Sequence, residues 1–187
     1  MAEVSLEAIK NLREQTNAGV MDCKNALQEA DGDVAKAVEL LRQKGLTIAA
    51  KKSARETLDG VVDCYIHTGN RVGAIVEVNC ETDFVARTPE FKELVHNLAM
   101  QIAAMAPLYV DNEAVPEGDT VNPEEACLME QPFIKDPSQT IRDMVNEAVA
   151  KVGENIRVRR FERFALGEYT DSTIWFSEYT VASLKLG

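Results

Sequence analysis

Arg71-Val72-Gly73-Ala74-Ile75-Val76-Glu77-Val78-Asn79-Cys80-Glu81-Thr82-Asp83-Phe84-Val85-Ala86-Arg87 changes character halfway along. Its first half alternates as a strand does, with Val72, Ala74, Val76, Val78 and Cys80 on one face and Glu77 and Asn79 on the other. Its second half drops the alternation and sets an aromatic ring beside a carboxylate, shortly before a helical run that begins near Pro89. Phe is costly to expose and Asp is costly to bury. Two readings stay open from the residues alone. Either Phe84 folds back into the core while Asp83 caps a short helical turn, or the pair is offered as a wedge to another molecule. Chemistry by itself favours the first.

Upstream lies a partner strand. Val62, Cys64 and Ile66 share one face, with Val61, Asp63, Tyr65 and His67 on the other, and Thr68-Gly69-Asn70 makes the hairpin turn. With Cys64 and Cys80 on apolar faces, both are expected in the core. Downstream, Phe91, Leu94, Val95, Leu98 and Ile102 form the stripe of a helix from Glu90 to Met105, which Pro107 ends. Leu108-Tyr109-Val110 is expected as a short strand, and Asp111 to Pro137 as irregular chain apart from a helix start at Asn122-Pro123-Glu124-Glu125. Ser138 is expected to cap a helix carrying Ile141, Met144, Val145, Ala148 and Val152, closed by Gly153. The last strand runs from Asn155 to Ala165. Phe161 is out of phase with Ile156 and Val158 there, which points to a bulge near Arg159-Arg160.

The N-terminal third reads as three short helices. Ser5 caps the first, with the stripe Leu6, Ile9 and Leu12, and Thr16-Asn17-Ala18-Gly19 breaks it. Val20, Cys23, Leu27 and Ala30 line the second, and Asp31-Gly32 turns the chain. Asp33 caps the third, lined by Val34, Ala37, Val38 and Leu41, with a stop expected at Lys44-Gly45. Helices this short must pack together to be stable. Lys51 to Glu56 then reads as a linker or exposed helix end. The expected organisation is therefore a helical domain over 1–52, an α+β core over 53–168 with an antiparallel sheet packed by helices, and a tail over 169–187. The tail holds the β-prone run Ile174-Trp175-Phe176-Ser177-Glu178-Tyr179-Thr180-Val181, which would pair with the core or with a second copy.

The formal net charge of −11 over 187 residues argues against a direct nucleic-acid partner and suits a protein with a basic surface. The cluster Arg157, Arg159, Arg160 and Arg163 is expected to pair with acidic groups of the same chain. No apolar run is long enough for a membrane span, and no targeting pattern opens the chain. The four cysteines, Cys23, Cys64, Cys80 and Cys127, are scattered without a C-x-x-C pair, which suits a reducing, cytoplasmic setting. With only His67 and His96 available, and neither set beside a cysteine, neither a metal site, a cofactor nor a catalytic pair is expected.

Leu12 to Leu27, with Ala30-Asp31-Gly32-Asp33, resembles the opening of the translation elongation factor Ts family. Glu77 to Arg87 is similar to that family's second signature, and Gly153-Glu154-Asn155-Ile156 through Arg160-Phe161 to its closing strand. The order is right and most of the chain up to Glu168 is spanned. The resemblance implies a guanine-nucleotide exchange factor for elongation factor Tu in its GDP-bound and nucleotide-free states, not an enzyme. It implies an N-terminal domain like a ubiquitin-associated domain, then an α+β core. Asp83 and Phe84 would enter the partner near the magnesium ion that bridges GDP, with Thr82 and Val85 setting the loop's shape. Leu12, Arg13, Thr16, Ala18, Gly19 and Met21 are the partner-contact candidates. The chain departs from the family in Asn17, where Gly is usual, in Val20, where Met is common, and in holding one core half where many members hold two. Short forms include some that dimerise, which leaves a homodimer open. An adaptor binding ubiquitin-like or nascent-chain surfaces through the helical domain is the alternative. Loss of activity on alkylation would instead mark an enzyme using Cys23 or Cys80.

Overall fold

The computed structural model describes residues 4–16 and 18–168. Asn17 and the tail 169–187, with the expectations that concern them, lie outside the described residues. In chain order the elements are α1 (Leu6–Thr16), α2 (Val20–Glu29), α3 (Val34–Lys52), β1 (Asp59–Ile66), β2 (Val72–Cys80), α4 (Asp83–Ala86), α5 (Pro89–Met105), α6 (Pro123–Ala126), β3 (Pro132–Phe133), β4 (Asp136–Thr140), α7 (Ile141–Val152) and β5 (Ile156–Ala165). The architecture is α+β, with an antiparallel sheet ordered β1-β2-β5 and a small β3-β4 ribbon.

The first three helices close around their own apolar cluster, built on Ile9, Leu12, Cys23, Ala26, Leu27, Ala30 and Ala37. Ser5 and Asp33 cap α1 and α3 through their side chains, as their positions suggested. Leu6, however, is exposed. The larger correction concerns Lys44-Gly45, which does not stop α3. The helix continues unbroken to Lys52. Gly45 is buried because α3 crosses α7 there, and a Cβ at that position would lie 3.9 Å from the Ala150 methyl. Tertiary packing overrides a local stop signal.

That second half of α3 joins the two parts of the molecule. Ala49 packs against the main core, Arg42 reaches Asp143 at 3.3 Å, and Lys52 donates to the Gly153 carbonyl at the end of α7. The main core is a sandwich of the sheet's inner face with α5 and α7. Its centre is Val76, Val78, Cys80, Phe91, Val95, Leu98, Ile102 and Ile141. Thr88 caps α5, with Pro89 at its first turn.

β1 faces the opposite way from expectation. The register sets Val61, Asp63 and Tyr65 against Val78, Val76 and Ala74, so these form the inner face. Val62, Cys64 and Ile66 point outward and are exposed. The inner polar residues are tolerated because α5 meets them: His96 Nδ1 is 3.2 Å from Asp63, and its ring meets Tyr65 edge-on with centroids 5.8 Å apart. Cys64 is therefore a surface thiol, not a core residue.

Two further boundaries differ. Thr140, not Ser138, caps α7, in a reciprocal capping box with Asp143, and Ser138 lies in β4. Tyr109 makes only an isolated bridge to Cys127. The bulge in β5 is present: Glu77 faces Arg160 while Val78 faces Val158, so Arg159 is the extra residue. Gly153 closes α7 at φ +76°, in the left-handed region. Among the described residues, no helix is long and apolar enough to cross a membrane.

Candidate functional site: an exposed ring and carboxylate on a braced turn

β2 ends at Cys80, and the chain folds at once into α4. Thr82 is the cap, its hydroxyl oxygen accepting from Val85 N at 3.4 Å. Asp83 is thus the first residue of the turn, not its cap. Val85 and Ala86 are buried and pin the turn to the main core. With those two pointing inward, helical geometry turns Asp83 and Phe84 outward. Phe84 is 78 % exposed. The reading in which its ring returns to the core is not the conformation adopted. Asp83 forms a 2.8 Å pair with Arg87 one turn on, and both side chains stay largely in solvent. Such a pair contributes little and opens readily.

A network of groups distant in sequence holds this turn. Glu154, between α7 and β5, accepts from Glu81 N at 3.1 Å, Thr82 N at 3.0 Å and the Thr82 hydroxyl at 2.7 Å. Glu81 in turn accepts from Asn155 N at 2.6 Å and lies 3.4 Å from Arg55. The Asn155 hydrogen bond above all, and then the Arg55 charge, keep the Glu81 carboxyl below its ordinary pKa. The Asn155 amide donates to the carbonyls of Ser53 and Arg55, which ties in the α3–β1 linker. Cys80 donates to the Thr82 carbonyl at 3.2 Å. Burial, and after it the Glu154 charge, pushes its thiol up to about 11, so it packs rather than reacts.

The second group of candidates gathers at the α1–α2 turn. The Thr16 hydroxyl donates to the Leu12 carbonyl at 2.8 Å and accepts from Ala18 N at 3.4 Å, and the Cys23 thiol donates to the Ala18 carbonyl at 3.7 Å. Arg13 and Gly19 are exposed, while Thr16 and Ala18 are half-buried. Met21 is 62 % exposed. Leu12 requires correction: it is wholly buried in the helical cluster. It can brace the turn from beneath but offers no surface. Val20 requires the converse, for it stands out beside Met21 at the start of α2 rather than packing inward. Val20 shares a helical stripe with Cys23 and Leu27, yet as the first residue of α2 it stays exposed and lines the groove shared with α5 and α7.

Among the described residues, no hydrogen bond or ion pair joins the two groups. Arg13, Thr16, Ala18 and Gly19 instead line an open groove of about 580 Å³, whose far wall includes Phe91 and Leu94 of α5 and Met144 and Ala148 of α7. Glu147 of α7 also lines it; its side chain stays exposed, yet partial desolvation in the groove, and after it the charges of Asp143 and Asp136, raise its carboxyl above the ordinary value.

Sequence reasoning missed Val20 and the bracing acids Glu81 and Glu154. No local pattern marks the latter, since Glu154 acts on residues 72 and 73 positions away.

A family model described as elongation factor TS matches residues 2–124 and 122–168. Among curated relatives, the elongation factor Ts of Carboxydothermus hydrogenoformans is 49% identical over 195 residues, covering 88% of this chain and 90% of that one. That of Rippkaea orientalis is 48% identical over 199 residues, covering 90% and 80%. That of Thermotoga maritima is 48% identical over 194 residues, covering 89% and 98%.

Proposed function

The chain belongs to the elongation factor Ts family, and from that premise we propose that it promotes GDP release from elongation factor Tu during translation elongation. In this reading the segment 1–52 holds the partner, and the core over 53–168 carries the wedge. The observation that carries the reading is the exposure of Phe84 on a turn whose neighbours Val85 and Ala86 are locked in the core. A large apolar ring kept in water on a braced support is a site for another protein's surface.

The mechanism divides into grip and intrusion. Asp83 leaves Arg87 and places a carboxylate near the partner's magnesium ion, the largest local positive charge at the diphosphate. Disturbing the ion's ligands weakens phosphate binding. Phe84 supplies apolar contact that holds the partner's elements apart. Magnitudes show why the ring cannot act alone. Moving a two-state equilibrium from 1:99 to 99:1 takes about 5.5 kcal/mol of differential binding, whereas burying one Phe contributes about 1.5–3 kcal/mol. The remainder falls to the α1–α2 turn, with Arg13, Thr16, Ala18, Gly19 and Met21 in contact, Val20 beside them, and Leu12 fixing the turn's shape from inside.

Reciprocity imposes a constraint: GDP must weaken the chain's own hold on the partner by the same factor by which the chain weakens GDP. The test is release of a fluorescent GDP from elongation factor Tu by substoichiometric chain. Acceleration that disappears on substituting Asp83 and Phe84 together, while partner binding through the helical domain persists, supports the reading. A folded chain that gives no acceleration with a matched partner removes it.

A further inference from the structure

The corner between α7 and β5, Gly153-Glu154-Asn155, is held from three directions. The Lys52 ammonium, in the last turn of α3, donates to the Gly153 carbonyl. In the linker that follows α3, the carbonyls of Ser53 and Arg55 accept from the Asn155 side-chain amide at 3.3 and 2.8 Å. On the side of the exposed ring, Glu154 holds the backbone of Glu81 and Thr82, and Glu81 accepts from Asn155 N. The Arg55 guanidinium, 3.4 Å from Glu81, closes the circuit.

Asn155 belongs to both halves of this junction. Its backbone N–H serves the turn that carries Phe84, and its side chain serves the end of α3. The residue is 7% exposed. A buried amide costs stability unless it is bonded, and a satisfied one selects a single arrangement of the chains around it. The arrangement selected here is the angle of α3. Where α3 crosses α7, Gly45 lets the two helices approach closely, and the crossing acts as a pivot. Lys52 lies seven residues beyond it, about 10 Å along the helix axis. A swing of about 6° at the pivot would move that end by about 1 Å and move the α1–α2 turn, beyond the opposite end of α3, the other way. A misplacement of that size costs up to about 100-fold in a rate that depends on alignment. The two bonds from Asn155 to the linker oppose the swing.

We propose that Asn155 is a positioning residue for nucleotide exchange. By tying the end of α3 to the corner that carries Glu154, it sets the distance between the α1–α2 turn that grips the partner and the ring that intrudes. Asn155 touches no partner itself, and its role presupposes the exchange reading. With the spacing fixed, grip by one surface presents the other at high effective concentration; a loosened joint dilutes that second contact while the first persists.

The experiment follows release of labelled GDP from elongation factor Tu as the concentration of chain rises, which yields a limiting rate and a half-saturating concentration. Asn155→Ala removes both bonds to the linker and leaves Glu154, Glu81 and the backbone N–H at 155 in place. The limiting rate should fall by about tenfold or more, with the half-saturating concentration changed by less than about twofold. In a Phe84→Ala background the same substitution should have little further effect, because a misplaced ring and a missing ring are the same loss. A second variant, Lys52→Met/Arg55→Met, loosens the junction through side chains that are not buried and should lower the limiting rate in the same way; it decides the question alone if Asn155→Ala does not fold. A folded junction variant with an unchanged limiting rate overturns the proposal. So does a loss confined to the half-saturating concentration, and so does full additivity with Phe84→Ala. No acceleration by the unaltered chain removes the exchange reading and this role with it, whereas acceleration that responds to Phe84→Ala but to neither junction variant removes this role alone.

Discussion

Replacing Phe84 with Ala separates function from stability more sharply than any other single change. The ring is 78 % exposed in the free chain, so its removal takes almost nothing from the core. A surface substitution of this kind alters folding stability by about 0.5 kcal/mol or less. Inside a partner the same ring has most of its surface left to bury. Scaling the about 1.5–3 kcal/mol for full burial of a Phe by the exposed fraction gives roughly 1.2–2.3 kcal/mol. At 1.36 kcal/mol per decade, that is a loss of about 8- to 50-fold in the exchange rate constant. The assay is stopped-flow release of labelled GDP from elongation factor Tu, with thermal unfolding in parallel. Unchanged exchange by a folded variant refutes the wedge. A fall of several degrees in the unfolding temperature refutes the premise that the ring stands free.

Other expectations rest on the braces and the helix contacts. Glu154→Ala removes three hydrogen bonds from the turn, and should cost about 1–3 kcal/mol of stability and slow exchange with Phe84 intact; urea titration and the GDP assay read both, and a variant with unaltered exchange would separate the brace from function. Gly45→Ala puts a methyl in ordinary contact with Ala150 and removes a mid-helix glycine, so the chain should gain about 0.5–1 kcal/mol, whereas Gly45→Leu should lose stability by forcing α3 off α7; calorimetry decides. Glu147→Gln should stabilise the chain at neutral pH. Its folded pKa is raised by partial desolvation, so the wild type binds more protons folded than unfolded and loses stability as pH rises from the ordinary carboxylate value through the raised one. Chemical denaturation across pH should show the variant's advantage vanish in acid, and an advantage that grows in acid would reverse the sign.

Local chemistry announced much of this fold. Ser5, Asp33 and Asn122 mark helix starts because capping is a short-range exchange between a side chain and the next few N–H groups. The bulge at Arg159 was legible from a break in alternation. What failed depended on neighbours far along the chain. Gly45 carries a stop signal that loses to the crossing with α7. The phase of β1 could not be read because both faces carry apolar residues, and which one lies inward is decided by where α5 packs. Ser138 and Thr140 are equally good caps in isolation, and the reciprocal bond from Asp143 selects Thr140. At the site, the pairing of ring and carboxylate was visible, but their exposure was not. Val85 and Ala86 take the inward positions, and Glu154 fixes the turn from the far end of the core.

One geometrical fact bears on who does the mechanical work. α3 serves both bodies at once, its first turns closing the small bundle and its last turns bolted to α7 through Gly45, Arg42 and Lys52. A helix of 19 residues is a stiff rod about 28 Å long. Under the proposed function, a gripping turn and an intruding ring joined this way would behave as the two jaws of a fixed-gauge caliper. When such a tool closes on a softer object, the deformation is borne by the object.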